Sequence, residues 1–169
     1  PRKPRRPLPP GRTRNRPTRR TQTRPPPIPP AERVAELELR AGRPVRCRAA
    51  GSSMKPLIFP GADLEVQPVP AEELRPGDVL LFHDGTRLVA HRLVRRVDDP
   101  ERGRLFYVQG DNRHDVEGPV PADAILGRIE RVRAGWLRFR PRAWWIRAAY
   151  PPLRWGYRCA SRIKRVLTG

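Results

Sequence analysis

The chain has 169 residues, of which 23 are proline and 37% are hydrophobic, so one folded domain with irregular ends is expected and a uniformly packed chain is excluded. The net charge of +19 comes from those ends: residues 1–30 carry ten cations and residues 135–169 carry nine, without an acid in either, whereas residues 31–134 hold 17 of each sign. Two cysteines are too few for a disulfide framework and lack metal-ligand spacing, and no stretch resembles a membrane span or a signal peptide.

The proline- and arginine-rich tail, residues 1–30, contains eleven prolines. It has too little apolar surface to offset the entropy of ordering, so we predict disorder with polyproline character. Because the sequence begins with Pro1 and not with Met, a further N-terminal segment is expected. Two interpretations of the basic ends stay open. They are solvated segments whose arginine content reflects codon bias, or they bind polyanions such as nucleic acid.

A short helix is predicted for residues 31–41, with Val34, Leu37 and, as a further candidate, Ala35 on its apolar side and an end near Gly42. Alternating or continuous apolar runs bounded by turn residues then predict strands. These strands are residues 45–49, 63–67, 78–82, 86–94, 104–109 and 124–132, with a hairpin turn at Asp84-Gly85 and a bend at Gly127. Many short strands predict a mainly β, small barrel-like fold, and the folded domain is assigned to residues 31–134.

The last segment, residues 135–169, contains all four tryptophans interleaved with arginine. The segment is predicted to be partly helical, and three interpretations of its role are open. Aromatic rings and arginines suit an anionic membrane surface. Alternatively, Trp136, Leu137 and Phe139 complete the core and the remainder packs as a helix. Thirdly, the same composition could stack on single-stranded nucleic acid.

Ser53, in Gly51-Ser52-Ser53-Met54, is a candidate nucleophile only if a base lies nearby, because a serine hydroxyl is a weak nucleophile at neutral pH. The candidate bases are Lys55, His83, His91 and His114. Solvent would keep Lys55 protonated. His91 lies in a strand between Val89 and Leu93, where desolvation would keep the imidazole neutral and basic. The alternatives are an ordinary serine loop and a core histidine.

A catalytic histidine also needs a group that holds its tautomer. The turn Gly110-Asp111-Asn112, followed by Asp115, places two carboxylates at the end of a strand, from which they could reach a neighbouring strand. Without a serine and a histidine nearby, the same residues would be a simple turn.

The order of these motifs resembles the superfamily of serine peptidases that contains signal peptidases and SOS repressors. The resemblance covers residues 44–132 and rests on Gly51-x-Ser53-Met54-x-Pro56, Pro76-Gly77-Asp78-Val79-Leu80-Leu81-Phe82, His91-Arg92, Gly110-Asp111-Asn112 and Leu126-Gly127-Arg128-Ile129. Since no lysine lies between Lys55 and Lys164, the chain is similar to the Ser-His branch, found in endoplasmic-reticulum, archaeal and spore-type enzymes.

The resemblance implies roles for individual residues. Ser53 would be the nucleophile, His91 the general base and acid, and Asp111 a supporting acid. A second acid would be Asp115 or Glu117, and Asp115 is slightly favoured because aspartate is the usual type. Backbone N–H groups of Ser52 and Ser53 would stabilise the oxyanion. No cofactor and no metal are implied.

The sequence therefore predicts a serine endopeptidase that cleaves polypeptides, such as signal or leader peptides, after small residues. The alternative is a non-catalytic or regulatory protein with a peptidase fold, whose basic ends bind nucleic acid or anionic membrane. We expect membrane association, either peripheral through residues 135–169 or through a segment preceding Pro1, and otherwise a cytoplasmic location. Nucleic acid is ranked below a membrane as a partner.

Overall fold

The computed structural model describes residues 29–142. The disorder predicted for the N-terminal tail and the helix predicted near the C-terminus fall on residues 1–28 and 143–169, which lie outside the described residues. The elements in chain order are α1 (Pro30–Arg40), β1 (Val45–Arg48), β2 (Asp63–Gln67), β3 (Val79–His83), β4 (Leu88–Asp99), β5 (Gly103–Gln109), β6 (Glu117–Pro121), β7 (Ile125–Ala134) and β8 (Leu137–Phe139). Two short 3-10 turns precede β3 and β7.

All eight strands belong to one antiparallel sheet, in the order β1-β2-β7-β3-β4-β5-β6, and β8 pairs with β7. The prediction of a mainly β fold is confirmed. The sheet extends beyond residue 134, because β8 continues the β7 ladder and the side chain of Phe139 is buried. No ladder joins β1 to β6 among the described residues, so the barrel-like sheet stays open there.

Two apolar clusters form the core, and alternate residues of the central strand β3 belong to one or the other. The first lies beneath α1 and the loop that follows β1, and it includes Leu39, Met54, Ile58, Leu64 and Val132. The second is built from β3, β4, β5 and β6, and it includes Leu80, Phe82, Leu93, Phe106 and Val120. Strand β4 contributes to both clusters, with Ala90 packed against the first and Leu93 in the second.

Of the three residues expected on the apolar side of helix α1, only Ala35 is buried. Ala35 and Leu39, four residues apart, are buried, whereas Val34 and Leu37 are 59% and 66% exposed. The choice depends on tertiary contacts, since Glu32 accepts a hydrogen bond from the Leu88 N–H of β4 at 2.8 Å. Within residues 29–142 this eleven-residue helix is the only α-helix, and it is too short and too polar to cross a bilayer.

The bend expected at Gly127 coincides with an irregularity of strand pairing. β7 pairs with β2, β3 and β8, and its register against β3 shifts between Leu81 and Phe82. A Cβ atom at Gly127 would overlap the Gln67 carbonyl on β2. Glycine is therefore required where three strands approach each other closely.

Candidate active site

Ser53 lies in the loop between β1 and β2, which is closed at its base and anchored in the core. The Ala49 N–H donates to the Ala62 carbonyl at 2.8 Å, and the Gly61 N–H donates to the Ala49 carbonyl at 2.8 Å. The next residue, Met54, is buried and accepts a hydrogen bond at its carbonyl from the Ile58 N–H at 2.9 Å. Ser53 is half-buried at the edge of this anchored turn.

A second loop holds Ser53 from the opposite side. The Asn112 N–H, just after β5, donates to the Ser53 carbonyl at 2.7 Å. The Asn112 side-chain Nδ2 also donates to the Ser52 carbonyl, at 3.4 Å. These bonds join segments 60 residues apart in sequence, so the Gly-Asp-Asn turn fixes the position of the serine backbone.

His91 is buried in β4, opposite Leu80 of β3, and its ring centroid lies 6.1 Å from that of Phe82. Burial lowers the pKa of His91 below its usual value of 6.5, since the charged imidazolium is poorly solvated there. The Glu117 carboxylate opposes this effect and raises the pKa, while Arg113 lowers it. The net result is a histidine that is neutral at pH 7 and can accept a proton.

Gly110 is the point at which the serine loop and the histidine approach each other. The β4–β5 register pairs Arg92 with Gln109, so its continuation places Gly110 opposite His91. A Cβ atom on Gly110 would lie 3.0 Å from the Ser53 carbonyl oxygen and 3.1 Å from His91 Nε2. Both atoms therefore lie around the space that the missing side chain leaves open.

Glu117, the first residue of β6, contacts the other nitrogen of the imidazole. Its Oε2 lies 3.0 Å from His91 Nδ1, although the pair is not aligned as a linear hydrogen bond. The register pairs Leu93 with Val108 and Val108 with Glu117, which places Glu117 on the same face of the sheet as His91. A carboxylate at Nδ1 favours the tautomer that leaves Nε2 unprotonated.

Asp111 is buried and binds Arg92 instead. Its two oxygens accept hydrogen bonds from Arg92 Nε and Nη2, both at 2.9 Å. Arg92 also donates from Nη1 to the Gly77 carbonyl at 2.7 Å. Asp111 is 1% exposed, so this pair is a bidentate buried ion pair that ties the turn after β5 to β4 and to the Pro76-Gly77 turn.

The remaining candidates lie elsewhere. Asp115 and His114 are exposed in the loop before β6. His83 Nδ1 accepts from the Gly85 N–H at 3.1 Å in the β3–β4 turn. Lys55 lies over the ring of Phe59, 5.6 Å from its centroid. The geometry therefore favours Glu117 over Asp115, contrary to the slight preference drawn from the residue type.

The turn at Ser53 also offers hydrogen-bond donors. Among residues 29–142, the Ser52 and Ser53 N–H groups donate no hydrogen bond, so neither donor is already engaged. Ser52 is exposed and Ser53 is half-buried. No group of three histidine, cysteine, aspartate or glutamate residues within the described range is arranged to hold a metal ion.

Gly110, Arg92 and Asn112 position the candidate site, and no individual role was expected for them from the sequence. A glycine directly before the aspartate was the available signal for Gly110. The sequence matches no protein-family model and no curated protein.

Proposed function

We propose that the protein is a serine endopeptidase of signal-peptidase type, in which Ser53 is the nucleophile and His91 the general base. One observation carries the proposal: the Ser53 backbone and His91 Nε2 flank the same space at Gly110, while Glu117 contacts His91 Nδ1. A nucleophile, a base and an acid that orients the base are the parts that acyl transfer requires.

In the proposed mechanism, Ser53 Oγ attacks the carbonyl carbon of the scissile peptide bond and passes its proton to His91 Nε2. The Ser52 and Ser53 N–H groups donate to the oxyanion that forms. His91 then gives the proton to the leaving amine as the C–N bond breaks, which leaves an acyl-enzyme. Water repeats the sequence, with its proton accepted by His91, and releases the acid and the free Ser53 hydroxyl.

Glu117 has a defined part in this scheme. When His91 gains a proton, the imidazolium carries a positive charge in a buried position, which burial alone disfavours. The Glu117 carboxylate at Nδ1 stabilises that charge. Asp111 acts one step further away, because its bond to Arg92 holds the turn that carries Gly110 and Asn112.

The proposed substrates are signal or leader peptides cut after small side chains, as the resemblance of the motifs implies. The first experiment compares Ser53→Ala and His91→Ala with the matched variant Ser52→Ala in cleavage of such a peptide. We expect Ser53→Ala and His91→Ala to lose at least about 1,000-fold in kcat/KM, and Ser52→Ala to lose little, because its side chain has no proposed role.

A serine-directed phosphonofluoridate gives an independent measurement, because it labels an activated serine without a peptide substrate. Labelling should occur at Ser53 in the wild type and in Ser52→Ala, and should disappear in Ser53→Ala. Wild-type cleavage by Ser53→Ala, or labelling of Ser52 in place of Ser53, would contradict the proposal.

Membrane association belongs to the proposal on the strength of the sequence of residues 135–169. Trp136, 92% exposed, is the one tryptophan of that segment among the described residues. Sedimentation of the full chain with anionic vesicles, compared with neutral vesicles, measures it. We expect binding to anionic vesicles only, and equal recovery with both would contradict the proposed association.

A further inference from the structure

The outer face of β1, β2, β7 and β8 carries two rows of charged residues. In the first row, Arg48 pairs with Asp63, Asp63 with Arg133, and Arg133 with Arg138. In the second, Arg46 pairs with Glu65 and Glu65 with Arg131, and the β7–β8 register continued by one residue places Arg140 opposite Arg131. We call these six arginines and two acids the arginine face.

The strand alternation explains why these side chains point outward. Between the two rows run Cys47, Leu64, Val132 and Phe139, which pair with one another in the same registers. Leu64, Val132 and Phe139 are buried in the first apolar cluster. Successive strand residues point to opposite sides of a sheet, so the arginines project from the side opposite the core.

The two acids on this face neutralise only part of its positive charge. Asp63 lies 3.5 Å from Arg48, and Glu65 lies 3.0 Å from Arg46 and 3.4 Å from Arg131. Within residues 29–142, Arg133, Arg138 and Arg140 form no ion pair. Residues 1–28 and 143–169 contain no aspartate or glutamate, so no other acidic side chain of this chain can supply one.

The four arginines on β7 and after it form a square of like charges. Arg133 is directly opposite Arg138, and Arg131 is opposite Arg140. Like charges directly opposite each other on a sheet are destabilising. An anion between two guanidinium groups removes this repulsion, and guanidinium forks match the oxygens of a phosphate.

The shape of the arginine face favours a single polynucleotide strand over an anionic bilayer. The six arginines line a concave cleft of about 860 Å³. Trp136 is not among the residues that line the cleft, but it is 92% exposed in the β7–β8 turn, two residues from Arg138. A bilayer is flat at this scale and would meet the rim of the cleft, whereas a single polynucleotide strand is narrow enough to enter it. Arginines that track a phosphate backbone, with an exposed ring on which a base can stack, are typical of single-strand binding.

We propose that the arginine face binds single-stranded nucleic acid, with phosphates at the arginine square and a base stacked on Trp136. This surface is on the opposite side of the sheet from the buried Met54 that anchors the Ser53 loop, and its binding does not depend on the proposed peptidase activity. Sequence-independent binding is expected, because the face offers charge and a ring but no set of groups that would distinguish bases.

The test measures binding of the full chain to a fluorescein-labelled 12-nucleotide poly(dT) by fluorescence anisotropy at several salt concentrations. The variant Arg133→Gln/Arg138→Gln removes half of the square. Its control, Arg95→Gln/Arg102→Gln, removes the same charge from exposed positions on and after β4. The control retains all cations of residues 1–30 and 135–169, and the square variant lacks only Arg138 of these. The comparison therefore accounts for most of the non-specific attraction that the basic ends exert.

We expect the square variant to bind at least about tenfold more weakly than the control variant. The slope of log K against log salt should fall by about 1.4, since each lost phosphate contact on a single strand contributes about 0.7. Trp136→Ala should weaken binding at least about fivefold. Circular dichroism and a thermal melt establish that each variant is folded.

Three results would overturn the proposal. The first is an equal loss in the square variant and its control, which would assign binding to total charge. The second is no measurable binding by the wild type at low salt. The third is a requirement for Arg133 and Arg138 in binding to anionic vesicles or to a polyglutamate peptide, with no such requirement for the oligonucleotide.

Discussion

The candidate active site and the arginine face differ in how their basic residues are paired with acids. At the site, Asp111 binds Arg92 in a bidentate pair and Glu117 contacts His91, so each acid has one basic partner. On the arginine face, six arginines share two acids. The buried pair of Arg92 and Asp111 fixes the position of a turn. The three arginines of the exposed face that form no ion pair within residues 29–142 are available to a ligand. The difference predicts that charge removal will harm folding at the site and binding at the face.

The largest effect on folding is expected from Asp111→Ala. The substitution leaves Arg92, whose side chain is 12% exposed, without its buried partner. Removing one member of a buried ion pair costs about 3–5 kcal/mol. Urea denaturation measures the free energy of unfolding. The matched variant Asp115→Ala removes an exposed acid from the same loop. It should change the free energy of unfolding by less than about 0.5 kcal/mol. Similar losses of unfolding free energy in both variants would show that the buried pair contributes no more to stability than an exposed acid does.

The next effect concerns activity and tests the convergence at Gly110. Its backbone does not have a positive φ, so alanine is not strained there by its own conformation. The added Cβ would lie 2.8 Å from Arg113 Cγ, 3.0 Å from the Ser53 carbonyl oxygen and 3.1 Å from His91 Nε2. One of these groups must move by a few tenths of an ångström. Since a displacement of about 1 Å costs about 100-fold in rate, we expect kcat/KM to fall by at most about that factor. A wild-type kcat/KM in Gly110→Ala would show that activity does not require the observed spacing between the Ser53 backbone and the His91 imidazole.

Glu117→Gln is expected to lower kcat/KM about tenfold. Tenfold in rate corresponds to about 1.4 kcal/mol. The carboxylate stabilises the buried imidazolium through its charge at 3.0 Å and not through a linear hydrogen bond, and its 45% exposure to solvent keeps the contribution small. The pH profile separates this role from simple packing. Protonated His91 is inactive as a base, and its lowered pKa puts the acidic limb of kcat/KM below pH 6.5.

The sign of the change in Glu117→Gln follows from the contacts of His91. The carboxylate raises the pKa of His91, so its removal should lower that pKa and move the acidic limb to lower pH. Asp115→Asn should leave the limb unmoved. If the acidic limb of Glu117→Gln stays in place or moves to higher pH, the Glu117 carboxylate has no part in the proposed mechanism.

Much of the sheet could be predicted from the sequence because its strands alternate or are bounded by glycine and proline. Strand β2, from Asp63 to Gln67, has the predicted bounds. Strand β6, Glu117–Pro121, was not predicted, because Glu-Gly-Pro-Val-Pro has low strand propensity. It forms through its pairing with Phe106 and Val108 of β5, which is a long-range effect.

The same limit applies to the candidate site. His91 and the Gly-Asp-Asn turn could be proposed from local pattern. The choice of Glu117 over Asp115 depends on β6, whose register brings Glu117 to the face that carries His91. Likewise, no local pattern could show that Asp111 binds Arg92, 19 residues away in sequence.

The smallest expected effect tests the other half of the comparison, because it asks whether the arginine face is strained without a ligand. Arg138→Glu places an acid opposite Arg133, which replaces repulsion by attraction. Since cross-strand charge pairs contribute about 0.2–1 kcal/mol, the free energy of unfolding should rise by that amount. Arg46→Glu is the control: it removes the ion pair with Glu65 and puts two acids opposite each other, so it should lower stability. Both changes should shrink in 1 M salt, where the Debye length is about 3 Å. If Arg138→Glu destabilises the protein at low salt as much as Arg46→Glu does, the square of arginines is not a source of repulsion, and an anion bound there would relieve none.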